Sequence, residues 1–264
     1  MKPNALRQKL QSGQPVYGTM IQAVPLPAIG QIMALAGCDF VFFDMEHGAF
    51  DIGTIATMVQ MTRLAGLTPL VRVPNDLYHL MVRPLDAGAQ GIMIPRVETK
   101  AQVERIVESV LYPPAGKRGC SVAKGHNDFA GENLWDFTGA ANRENLIILQ
   151  IERERAVADI DDLLSVPGVG GVILGPNDLA LSLGVRDRDM LGALEEPMQR
   201  VLDAALRHGI PCGIHIANLE WLGEWQRRGM QLICYSTDIN FLRQGAANGI
   251  AWLKASHKAR SEGT

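Results

Sequence analysis

Gly170-Gly171-Val172-Ile173-Leu174-Gly175-Pro176-Asn177-Asp178-Leu179-Ala180 is the stretch that decides the fold class. Residues 171–175 are short, apolar and partly β-branched, as a buried strand requires, and they stop at Gly175-Pro176. Asn177 and Asp178 then open a helix-period run. The strand-like run before it, residues 146–151, carries Glu152 at its carboxyl end. In a parallel barrel successive strands deliver their carboxyl ends to one face, so Glu152 and Asp178 converge there. Two carboxylates leaving open positions for water or substrate suit Mg²⁺ or Mn²⁺, which take hard oxygen ligands. Taken singly, Asp178 reads as a helix cap and Glu152 as a surface charge. Their pairing in consecutive units favours the metal.

Outward from this stretch, strand-like runs recur at 16–22, 40–44, 68–73, 91–97, 146–151, 171–175, 211–216 and 231–236. Helix-period segments fill most of the intervals, at 26–36, 52–65, 77–87, 100–110, 193–208 and 219–228. Eight alternating units in 264 residues predict one (β/α)₈ TIM barrel over 1–264, an architecture typically of ~250 residues. A doubly wound open sheet is the alternative, without a GxGxxG after an early strand to support it. The interval between the fourth and fifth strands is long, and its centre, 112–137, is rich in Gly, Pro and polar residues, as functional excursions are. Residues 240–257 form a helical run apolar enough to need a packing partner, and 258–264 read as a frayed tail.

A formal charge of −3 and a pI near 6.1 give no general reason to expect nucleic acid or an anionic membrane as partner. The apolar runs are too short to span a bilayer and the polar start lacks a secretory apolar stretch, so a cytoplasmic location is expected. Cys38, Cys120, Cys212 and Cys234 are scattered without metal-ligand spacing and are read as reduced.

The strand ends carry the chemistry. After the second strand comes Asp44-Met45-Glu46-His47-Gly48. A carboxylate three residues before a histidine can hold its tautomer, making His47 a candidate general base; the alternative is a structural histidine at a loop entry. Arg72 ends the third strand, where an unpaired cation is costly, so it should face an anion or a developing oxyanion, or else pair with Asp44 or Glu98. The backbone N–H groups of Asn177 and Asp178, at a helix start, suit the carboxylate of an α-keto acid. An imine route needs an inward lysine, and Lys2, Lys9, Lys100, Lys117, Lys124, Lys254 and Lys258 all fall in termini, helices or the long loop.

FDMEHGAFD, VRVPNDL, LDAGAQGIMIPRVETKAQVE, YPPAGKRGCS, QIE and GVILGPNDLA, in this order over nearly the whole chain, resemble the HpcH/HpaI family of metal-dependent class II pyruvate aldolases. The resemblance is to the 4-hydroxy-2-oxoheptanedioate and 2-dehydro-3-deoxyglucarate aldolase type. It implies a (β/α)₈ barrel, usually hexameric, whose C-terminal helix packs on a neighbouring subunit. It further implies Glu152 and Asp178 as ligands of Mg²⁺, Mn²⁺ or Co²⁺, His47 with Asp44 as an acid/base pair acting through water, and Arg72 as the enolate-stabilising cation. Gln150 would line the α-keto acid site beside the Asn177 and Asp178 amides. The implied reaction is reversible aldol cleavage of a 4-hydroxy-2-oxo acid, through a metal-bound enolate, to pyruvate or hydroxypyruvate and an aldehyde. Arg118, Lys124 and His126 of the long loop and the strand end at His215 are candidates for the aldehyde side. Where the family commonly has an aliphatic residue this chain has His215, and Asp86 either helps place His47 or lines a subunit boundary. The alternatives are a citryl- or malyl-coenzyme A lyase of the same superfamily and a non-catalytic barrel that binds an α-keto acid.

Overall fold

The computed structural model describes residues 2–186 and 190–261. Eight parallel strands close on themselves in sequence order: β1 (Val16–Ile21), β2 (Phe40–Asp44), β3 (Thr68–Arg72), β4 (Gly91–Ile94), β5 (Leu146–Ile151), β6 (Gly171–Leu174), β7 (Cys212–Ile216) and β8 (Leu232–Thr237). The helices are α1 (Ala5–Gln11), α2 (Ile29–Leu35), α3 (Ile52–Leu64), α4 (Tyr78–Ala87), α5 (Lys100–Val110), α6 (Leu134–Glu144), α7 (Glu154–Ala158), α8 (Ile160–Leu164), α9 (Pro176–Ser182), α10 (Met190–His208), α11 (Leu219–Arg228) and α12 (Asp238–Ser261). This is the (β/α)₈ barrel expected, with every strand where the apolar runs lie. The structured excursion between β4 and β5 differs from the expected loop. It holds a 3₁₀ turn at Gly125–Asn127 and the whole of α6, whose Asn133 cap accepts from the Trp135 and Asp136 amides.

Strand alternation divides the apolar residues into two cores. Phe40, Phe42, Leu70, Met93, Leu146, Ile148, Ile173 and Leu232 fill the barrel interior, while their neighbours pack outward under the helices. The edge-to-face pair Phe40 and Phe42, with centroids 5.4 Å apart, is accommodated because Gly18 faces it. A Cβ on Gly18 would come within 2.6 Å of the Phe40 ring. Leu6 and Leu10 of α1 join the same cluster and seal one end. That leaves the carboxyl ends of the strands as the place where polar residues can enter the interior.

Helix α12 starts with a buried carboxylate, Asp238, which accepts from the backbone N–H groups of Gln22, Ala23, Val24 and Ile239 at 2.8–3.1 Å. This ties the loop after β1 to the end of β8. Beyond that anchor the helix, about 36 Å long at 1.5 Å per residue, exposes Leu242, Ile250, Trp252 and Leu253. It continues to Ser261 where a frayed tail was expected from 258; residues 262–264 of that expectation lie outside the described residues. None of the described helices is long and apolar enough to cross a membrane.

Candidate active site

The interior positions of β2 continue past the apolar rings: Phe40, Phe42, then Asp44 and Glu46. On β5 the same parity runs Leu146, Ile148, Gln150, Glu152, and on β3 it runs Thr68, Leu70, Arg72. Period two therefore carries these polar residues to one mouth, above the packed interior.

Asp44 is fully buried and is held by a fork. Arg72 Nε donates to Asp44 Oδ1 at 2.8 Å and Arg72 Nη2 to Oδ2 at 2.5 Å. Gln22 Nε2 donates to Oδ2 at 2.8 Å, and the Glu46 and His47 amides donate to Oδ1 at 2.9 and 3.3 Å. Burial opposes ionisation of Asp44, but the Arg72 hydrogen bonds and charge, with Gln22, outweigh it and hold the carboxyl below its ordinary range. Arg72 is likewise desolvated, yet Asp44, Glu46 and Glu152 keep it charged.

His47 lies apart from this fork. Its ring is 62% exposed, with Nε2 4.0 Å from Glu46 Oε2, and Asp44 reaches it only through the His47 backbone N–H. The anticipated carboxylate–imidazole contact is therefore replaced by Asp44–Arg72, because a buried carboxylate draws most from a bidentate guanidinium. Glu46 is the carboxylate that faces the ring. It also sits 3.3 Å from Arg72 Nη1 and 3.5 Å from Arg96 Nε. Burial raises the Glu46 pKa, against the pull of Arg72.

Glu152 is 2% exposed. Its Oε1 accepts from the Arg96 backbone N–H at 2.8 Å and its Oε2 from Gln150 Nε2. Arg96 has φ 54°, in the left-handed region that non-glycine residues rarely occupy, so its amide is turned toward Glu152 at a conformational cost. Burial lifts the Glu152 pKa; the Arg96 amide opposes this, and the Asp178 and Glu46 charges add to it. Asn177 and Asp178 lie in the first turn of α9, whose start has no side-chain cap.

Three features fit a divalent cation here. Glu152 is a buried carboxylate beside two like charges, a setting that a cation relieves. Gln150 Oε1 is buried without a partner. A Cβ on Gly175 would sit 2.8 Å from Glu152 Oε2 and 3.0 Å from Gln150 Nε2, so only glycine leaves this space open. The hard oxygen set suits Mg²⁺-type ions, although among the described residues no three His, Cys, Asp or Glu side chains converge at ligand distance.

Residues 24–243 match the family model described as HpcH/HpaI aldolase/citrate lyase. The chain belongs to the HpcH/HpaI family. A 5-keto-4-deoxy-D-glucarate aldolase of Salmonella arizonae is 31% identical over 246 residues, 92% of this chain and 94% of the relative. The crystal structure of an HpcH/HpaI aldolase from Desulfitobacterium hafniense DCB-2 superposes with a TM-score of 0.90 at 36% identity, covering 94% of this chain and 96% of that one. The citrate synthase SbnG aligns with a TM-score of 0.86 at 28% identity, covering 96% and 98%. As an HpcH/HpaI aldolase the protein is a metal-dependent carbon–carbon lyase, which sets aside the non-catalytic barrel.

Sequence reading missed Glu46 and Gln22, and at Arg96, just beyond β4, the alternation is ambiguous as to which way the residue faces. Glu46 was legible as the next inward position after Asp44; the Arg96 amide and the Gln22 contact depend on backbone turns with no sequence mark. Among the loop candidates, Arg118 donates to Asp86 at 2.6 Å and His126 Nδ1 lies 3.6 Å from it. Within the chain Asp86 thus pairs with Arg118 and His126 of the loop. Lys124 is exposed, as is every other lysine whose side chain is described, so the imine route gains no residue.

Proposed function

We propose that this HpcH/HpaI aldolase cleaves 4-hydroxy-2-oxo acids to pyruvate, or hydroxypyruvate, and an aldehyde, with Glu152 and Asp178 holding Mg²⁺, Mn²⁺ or Co²⁺. The observation that carries the site assignment is Glu152, buried beside Asp178 and Glu46 and open toward Gly175. A divalent ion held there supplies Lewis-acid polarisation of the keto oxygen. Gln150 and the Asn177 and Asp178 amides orient the α-keto acid. His47, at the mouth, takes the C4 hydroxyl proton, through water where the substrate does not reach it. Glu46 is placed to favour the imidazolium that results. The C3–C4 bond then breaks, its electrons forming the enolate, and carbonyl formation at C4 releases the aldehyde. Arg72 is set in direction by the Asp44 fork and has N–H groups left on Nη1 and Nη2 for the developing oxyanion. Protonation at C3 completes pyruvate.

Hydrogen–deuterium exchange at C3 of pyruvate and of hydroxypyruvate, followed by proton NMR with Mg²⁺ and with a chelator, tests this without knowledge of the aldehyde. Metal-dependent exchange, lost in His47→Ala, is expected, and the two acids rank the donor. Absence of exchange with both acids under Mg²⁺, Mn²⁺ and Co²⁺ would refute the pyruvate reading and favour a thioester lyase.

The same reading includes one barrel domain over the whole chain, cytoplasmic location in keeping with four unpaired cysteines, and a homo-oligomer, a hexamer by family resemblance. Support for the oligomer is the bare apolar side of α12 and the groove of about 580 Å³ between Leu26, Ile29, Ile32, Phe241 and Leu242. Light-scattering mass should be about six times 28.8 kDa and should fall in Trp252→Glu. A monomeric wild type would overturn this part alone.

A further inference from the structure

Asp44, Arg72, Glu152 and Asp178 occupy the arc of the mouth from β2 to α9. The arc formed by β7, β8 and β1 carries a different set. A cavity of about 650 Å³ opens there, walled by Gln22, Asn177, His215, Ser236, Thr237 and Asn240 among others, and none of the described residues lining it carries a formal charge. Two of these residues join it to the reaction site. Gln22 Nε2 donates to Asp44 Oδ2 at 2.8 Å, and Asn177 precedes Asp178.

His215 is held in one state. Ser236 has φ 56°, a left-handed conformation that costs free energy at a non-glycine residue. In that conformation its carbonyl accepts from Thr19 Oγ1 at 3.2 Å and lies 3.1 Å from His215 Nε2. A carbonyl only accepts, so Nε2 bears the hydrogen, and in the neutral ring Nδ1 is a lone-pair acceptor. Burial pulls the His215 pKa down; the Ser236 hydrogen bond opposes this and the Arg72 charge reinforces it.

We propose that this cavity receives the aldehyde half of the substrate, and that His215 Nδ1 accepts a hydrogen bond from a hydroxyl on it, selecting neutral hydroxylated aldehydes. The proposal rests on the aldol reading above. A carboxylated aldehyde would bring its charge to walls with no cation among their described residues, since Arg72 lies outside this lining. A plain alkyl aldehyde would leave His215 Nδ1 unpaired, which is how a polar site rejects an analogue lacking a hydroxyl.

The test uses pyruvate as donor and compares kcat/KM for glycolaldehyde, its near-isostere propanal and the charged glyoxylate. Wild type should favour glycolaldehyde over propanal by about 10-fold or more and use glyoxylate least. His215→Leu should lower the glycolaldehyde-to-propanal ratio about 10-fold, and His215→Gln, still a neutral acceptor, should restore part of it. An unchanged ratio in His215→Leu, or a wild type that prefers glyoxylate, would overturn the proposal; if His215→Leu does not fold, the wild-type ranking decides. Pyruvate C3 exchange on the same samples separates the two ideas. Exchange without aldehyde discrimination overturns only the role of His215, whereas no exchange overturns the aldol reading and this proposal with it.

Discussion

Glu152→Gln is expected to lower turnover, and C3 exchange of pyruvate, about 10³-fold or more, because a Lewis-acid contribution of several kcal/mol is lost. The substitution keeps the shape of a side chain that is 2% exposed, removes its charge and turns one acceptor oxygen into an NH2 donor, for which the partnerless Gln150 Oε1 is an acceptor once that amide flips. Its effect on the metal-free fold should have the opposite sign. Burial first, and the charges of Asp178 and Glu46 beside it, raise the Glu152 pKa over the opposition of the Arg96 amide. A raised carboxyl pKa makes metal-free wild type more stable at low pH, and that stability is lost as pH rises through the folded-state pKa. Metal-free Glu152→Gln lacks this loss and should melt no lower than wild type at neutral pH. Mg²⁺ or Mn²⁺ should then raise the melting temperature of wild type and leave the variant unmoved. Exchange within about 10-fold of wild type, or equal metal-induced shifts, would remove Glu152 from the metal site.

Arg72→Ala should act on both chemistry and fold. Loss of the oxyanion-facing guanidinium is expected to cost about 10²–10³ in kcat. The fully buried Asp44 would lose both arms of its fork, a change of the kind that destabilises by about 3–5 kcal/mol. Arg72→Lys keeps the charge without the planar fork, so it should fall between the two. The pH dependence follows from Asp44. Although burial opposes ionisation, Arg72 holds the carboxyl below its ordinary range. Its stabilisation is therefore present above the unfolded pKa and lost as pH falls through the folded one. In Arg72→Ala burial is left with weaker opposition, so the stability gap to wild type should be widest near neutrality and narrow on acidification. Urea unfolding at pH 7 and in the carboxylate range measures it; a gap that stays constant or widens in acid would contradict the assignment.

Much of this molecule is legible along the chain because period-two alternation is a local property. The apolar runs locate all eight strands, and the same parity that buries Phe40 and Phe42 carries Asp44 and Glu46 to the mouth. Helix α6 was missed because Gly139 and Asn142 weaken its helical signal, while its hold is tertiary: Phe137 packs on Tyr112 and His126, and Asn142 pairs with the Tyr112 backbone. The excursion before it pairs Arg118 and His126 with Asp86, so residues that read as mouth candidates meet α4 instead.

What the sequence determined by itself is therefore the barrel and most of the residues brought to the strand ends, which follow from spacing and residue type, and the family, which follows from the resemblance of its ordered motifs. The tertiary structure decided which of those residues face one another. Asp44 takes Arg72 instead of the His47 ring, Glu46 is drawn in between Arg72, Arg96 and His47, and strained backbone at Arg96 and Ser236 aims an amide at Glu152 and a carbonyl at His215. These choices depend on burial, since a desolvated charge pairs with whatever partner satisfies it most fully, and that competition exists only once the strands have closed.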